Sequence, residues 1–79
     1  MTYKKLQSKT AKQLRTFLYN NGWTRSDITS FLKEELPTNM TDECLKVSLA
    51  VIDTWSFENI LKIYHDEVVD FIWEELTSA

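Results

Sequence analysis

The sequence is poor in every residue that staples or punctuates a small fold. It holds one cysteine, one histidine, one proline and one glycine in 79 residues. A lone thiol, Cys44, forms no internal disulfide, and Cys44 with His65 falls short of the ligands a structural zinc site needs. A β architecture of many short strands requires turns that reach positive φ, and a single Gly and a single Pro do not supply them. No run of eighteen apolar residues occurs, so no membrane-spanning helix is expected. The chain also lacks a Gly-rich phosphate loop, an H-E-x-x-H pair and an EF-hand pattern. No metal, cofactor or small-molecule substrate is therefore expected, and no enzymatic activity, because one His and one Cys assemble no catalytic constellation. The basic start MTYKKLQSK leads into no apolar run of signal length. With a single unpaired thiol, this points to a reducing compartment, the cytoplasm.

What the chain does have is packing material. Apolar residues make up 43% of it and aromatic residues 13%, including Trp23, Trp55 and Trp73, which argues against disorder. The length fits one domain over residues 1–79, with a thin core that buries roughly 60–65% of the unfolded surface. The net charge of −3 hides an asymmetry. Residues 1–33 carry seven cations against one carboxylate, a net +6, and residues 34–79 carry two cations against eleven carboxylates, a net −9. Charge split between halves is a partner signal more than a fold signal.

The apolar periodicity predicts an all-α fold, a compact bundle of four helices over about 3–21, 25–35, 42–53 and 57–77. The two N-terminal helices are short and lie around Gly22. In the first segment Leu6, Leu14, Phe17 and Leu18 share a face, and Gly22 stops the helix as the residue beyond its cap. Thr2 begins this helix, or else Ser8 or Thr10 caps a shorter one after a loose arm. Thr24 caps the second segment through the Asp27 amide, and Ile28, Phe31, Leu32 and Leu36 form its stripe. The residue before Pro37 disfavours α geometry, which ends that helix near Glu35. Thr41 caps the third, with Leu45, Leu49 and Ile52 on one side and Val47, Ala50 and Val51 on the other. A helix apolar nearly all round is expected to be central and covered on several sides. The alternation of Leu45, Val47, Leu49 and Val51 also suits a strand, but nothing else in the chain offers a partner strand. The fourth segment carries the broadest stripe: Phe57, Ile60, Leu61, Tyr64, Val68, Phe71 and Ile72.

Two surfaces of opposite charge are candidates for function. On the last helix Asp66, Glu67, Asp70 and Glu74 fall within about 100° of one another, beside a second apolar strip of Val69, Trp73 and Leu76. An aromatic anchor, an apolar strip and an acidic rim suit a protein partner, with Asp66, Val69, Asp70, Trp73, Glu74 and Leu76 as contact residues. A basic surface, such as that of a nucleic-acid-binding protein, complements this rim. A homodimer also fits, since the two halves of one chain are self-complementary in charge. The plainer alternative is that Trp73 covers an end of the bundle against the first helix.

The other surface is basic. Leu14 to Leu18, Gly22 in the turn, Trp23, and Thr24 to Phe31 form a helix–turn–helix pattern. Its second helix presents Ser26, Thr29, Ser30 and Lys33, with Arg25 near the start. Lys5, Lys9, Lys12 and Arg15 flank the first. Over about residues 12–33 the segment resembles helix-turn-helix DNA-binding proteins, departing from them at Leu18, where they carry a small residue. The resemblance implies a DNA-binding regulator whose second helix enters the major groove. A plain αα-hairpin with a solvated basic face has the same pattern. His65 adjoins Asp66, but neighbours on a helix point apart. Cys44, third in its helix, is a nucleophile if exposed and otherwise a small core residue. The favoured reading is a non-enzymatic protein–protein interaction module, a small regulator, inhibitor or adaptor. DNA binding is the alternative.

Overall fold

Hydroxyl side chains start five of the helices. Thr2, Thr10, Thr24, Thr41 and Ser56 each sit in extended backbone and accept from the amide three residues on, at 3.2–3.3 Å. Each cap satisfies an amide that the first turn leaves unpaired and is worth about 1 kcal/mol. Thr10 with Gln13, and Thr24 with Asp27, close reciprocal capping boxes. The structure is a computed structural model that describes residues 2–78. In chain order the helices are α1 (Tyr3–Gln7), α2 (Ala11–Asn20), α3 (Arg25–Glu34), α4 (Asp42–Thr54), α5 (Phe57–Ile63) and α6 (His65–Thr77). The chain is all-α, and no strand occurs among the described residues, 45–51 included.

Two of the four expected segments are each divided in two. The first breaks at Ser8–Thr10, so Thr2 and Thr10 both start helices. Hydroxyl side chains compete there with the helical ladder: the Ser8 hydroxyl donates to the Lys5 carbonyl while Thr10 opens the next capping box. The fourth bends at Tyr64 (φ −108°, ψ 30°) between α5 and α6. No Pro or Gly marks this bend, and the packing partners change across it: α5 lies along α2, whereas α6 meets α1 and α3. Gly22 ends α2 as expected, at φ +81°. The Trp23 amide donates to the Leu18 carbonyl at 2.9 Å and the Gly22 amide to Tyr19 at 3.2 Å, which is a Schellman closure.

The core draws on every helix. Leu6, Leu14, Leu18, Ile28, Ile52, Ile60, Leu61, Val68, Val69 and Ile72 are fully buried. Every buried side chain among the described residues is apolar, so polar chemistry lies at the surface.

Helix α4 departs most from expectation. It is peripheral, with α3 as its principal neighbour, and Ile52 is its only buried residue. Val47 is 64% exposed, Cys44 and Ala50 are exposed, and Leu45, Leu49 and Val51 are half-buried. The expectation of a central third helix rested on its being apolar all round. Helix α5 packs on α2 and α6, α6 also meets α1 and α3, and α4 is left to pack on α3.

Candidate functional site

The strip assigned to a partner on the last helix turns inward. Val69 is fully buried and belongs to the core with Val68 and Ile72. Trp73 is half-buried, packs on that core, and meets Tyr3 of α1 edge to face, with ring centroids 5.8 Å apart at 69°. Helix α1 thus occupies the place a partner was expected to take. The Tyr3 hydroxyl donates to the Asp70 carboxylate and fixes α1 at this seam. Asp66, Asp70, Glu74 and Leu76 remain exposed, Leu76 at 44%.

This seam has a pH signature. The hydrogen bond to Asp70 raises the Tyr3 phenol above its ordinary 10.0, and partial burial and the charges of Asp70 and Asp66 push the same way. The unfolded chain therefore releases this proton first. The seam's contribution to stability is complete below about pH 10 and is lost as pH climbs through the raised folded value. An ultraviolet absorbance titration is expected to show one tyrosine ionising above the ordinary phenol range. Tyr3→Phe removes that step; persistence of the step in the variant would assign it to another tyrosine.

The acidic surface gathers beside this seam, around an aromatic floor. Phe31 of α3 and Phe71 of α6 stack at 4.0 Å with 14° between planes, and Trp23 meets Phe71 edge-on at 5.5 Å. The pair lines a shallow groove of about 260 Å³ with Glu35, Glu67, Asp70 and Glu74, and no cation lines it. Of these six, only Asp70 and Glu74 are among the contact residues expected from sequence. The signal for the rest was present: 67, 70, 71 and 74 have the spacing of one helix face, as do 31 and 35. Both phenylalanines read as core because their half-exposure depends on where α3 crosses α6.

The basic residues separate into two groups. Those on α3 are committed to α4: Arg25 donates from Nη2 to the Ile52 carbonyl at 3.2 Å, and Lys33 Nζ lies 2.5 Å from the Asp53 carboxylate. With both side chains of that ion pair about half-exposed, it adds little stability and chiefly orients α4. Thr29 is half-buried and its hydroxyl bonds back to the Ser26 carbonyl. Arg25, Thr29 and Lys33, four residues apart along one flank of α3, thus face α4. Only Ser26 and Ser30 of the expected DNA-reading set stay fully exposed and free of α4, beside Asp27 and Glu34. On α3, then, Arg25 and Lys33 have partners on α4, and Ser26 and Ser30 do not.

Lys5, Lys9 and Lys12 form the second group. They converge on an open groove between α1 and α2, about 660 Å³ in volume, where no carboxylate lines the walls. Arg15 lies outside it, half-buried on α2. Neither His65 nor Cys44 lines either groove. The His65 ring donates from Nε2 to the Lys9 carbonyl at 2.7 Å, with Nδ1 3.7 Å from the Asp66 carboxylate. Cys44 is exposed on α4 and is not a core residue. Among the described residues no cluster of His, Cys, Asp and Glu is arranged to hold a metal ion, and no helix is long and apolar enough to cross a membrane.

Compared with known proteins, the chain matches no family model, no curated protein and no solved structure. The surfaces themselves carry the functional argument.

Proposed function

We propose that the protein is a non-catalytic interaction module whose α3–α6 groove takes a basic segment of a partner protein. The observation that carries this reading is the stacked Phe31–Phe71 pair ringed by Glu35, Glu67, Asp70 and Glu74. An arginine satisfies both features at once. Its planar guanidinium stacks on an aromatic face and pairs with carboxylates at the edge. The exposed carboxylates steer a basic partner and set the salt dependence, while the aromatic floor supplies the desolvated contact. A nucleic-acid-binding protein, with its arginine-rich surface, is a partner of the right chemistry. Relative to the sequence reading, the surface moves by part of a turn of α6, from Val69 and Trp73 to Glu67 and Phe71.

The test is titration of the full chain with an arginine-rich and a glutamate-rich fluorescent peptide. The arginine-rich peptide is expected to bind, more weakly as salt rises. The double charge reversal Glu67→Lys with Glu74→Lys should lower its affinity at least about tenfold, or 1.4 kcal/mol. Both residues are exposed, so helicity should be unchanged. Equal binding of the two peptides, or an affinity indifferent to the reversal, removes the proposal.

A further inference from the structure

The α1–α2 groove lies outside that reading. Its cations come from both helices and from the loop between them: Lys5 from α1, Lys9 from the loop, Lys12 from α2. Along α2, Lys12, Gln13, Thr16, Phe17 and Asn20 share one face over about 12 Å, eight rises of about 1.5 Å. The wall thus alternates cations, side-chain amides and a hydroxyl around one aromatic ring. Phe17 is only half-buried, and Lys9 Nζ stands over its ring, 5.3 Å from the centroid. A flexible ammonium resting on that ring shows that the aromatic face opens into the groove and is reachable from solvent.

We propose that this groove binds single-stranded nucleic acid, with Lys5, Lys9 and Lys12 holding phosphates and Phe17 stacking a base. A base arriving on the ring takes the place of the Lys9 ammonium. The displaced cation then meets the adjoining phosphate, so the cation–π contact is exchanged for two contacts of the ligand. Lysines are point charges that suit phosphodiesters without demanding a register. An acidic peptide of Asp and Glu would use the cations and leave the aromatic face unused, so the ring beside the lysines favours a nucleotide. The groove is preformed. His65 at the start of α6 holds the Lys9 carbonyl, which fixes the loop between the two lysine-bearing helices. The acidic α3–α6 surface repels a polyanion and confines it to this groove.

The experiment is fluorescence anisotropy of a labelled oligothymidylate ten-mer with the full chain, at low and physiological salt. Binding is expected, with log K falling against log salt at a slope near −2, which is about 0.7 for each of three phosphates. Lys5→Glu with Lys12→Glu, both exposed and free to change without loss of fold, should lower affinity at least tenfold and flatten the slope. Phe17→Leu keeps an apolar side chain against the core and should weaken the single strand several-fold with the slope unchanged, because stacking carries no counterions. Lys46→Glu, at an exposed cation of α4 outside both grooves, should leave binding intact. No binding at low salt overturns the proposal. So does a duplex of equal length bound as tightly as the single strand, or a polyglutamate peptide that competes as well as the oligonucleotide. Indifference to the lysine reversals overturns it as well.

Discussion

Val69→Asp is expected to abolish cooperative folding. Val69 is fully buried among Val68, Ile72 and the rest of the core, and no cation lies in that core to receive a carboxylate. An unpaired polar group moved from water into such a site costs several kcal/mol, and a charge costs more. A domain of this length has a total stability of roughly 4–12 kcal/mol. The variant should therefore lose its urea transition, or retain helical circular dichroism without fixed packing. Val47→Asp is the control. Val47 is 64% exposed on α4, so the same chemical change should move stability by no more than about 0.5 kcal/mol. The two valines exchange roles relative to a reading of their helices alone: the strip of Val69 was expected outside, and the helix of Val47 was expected in the centre. Native-like unfolding of Val69→Asp would mean that α6 is rotated from the orientation described.

Trp73→Ala is expected to destabilise the domain by about 2 kcal/mol. That is roughly half the cost of truncating a fully buried aromatic, because Trp73 is half-buried. The loss has two parts, apolar area withdrawn from the core and the edge-to-face contact with Tyr3. A double-mutant cycle with Tyr3→Ala separates them: the coupling should be about 0.5–1.5 kcal/mol for an aromatic pair of this geometry. The midpoint of urea unfolding measures both. If Trp73→Ala leaves stability unchanged, the α1–α6 seam does not hold α1, and the raised Tyr3 pKa should vanish with it. The prediction bears on function too. With Trp73 already engaged by α1, loss of partner binding in this variant would follow from loss of α1, whereas charge reversal at Glu67 and Glu74 acts on the groove directly.

The parts of the fold that sequence determines here are local. Thr2, Thr10, Thr24, Thr41 and Ser56 start helices because a hydroxyl beside an apolar-periodic run satisfies the nearest free amide, whatever lies elsewhere in the chain. The T-x-x-Q of residues 10–13 even encoded the break in the first segment. Gly22 closes α2 because the positive φ of that closure is cheap only for glycine. The all-α class and the separation of positive from negative charge follow in the same way, from periodicity and counting. Tertiary structure decided the rest. A helical period states which residues share a face, but not which face meets a neighbour. For α6, with two apolar strips, α1 decided that Trp73 turns inward and α3 decided that Phe71 keeps an open edge. For α3, α4 decided that Arg25 and Lys33 are committed rather than offered. For α4, apolar on every side, its place outside the core left Val47 in solvent. Burial is a property of pairs of elements, and the sequence of one element holds only half of each pair.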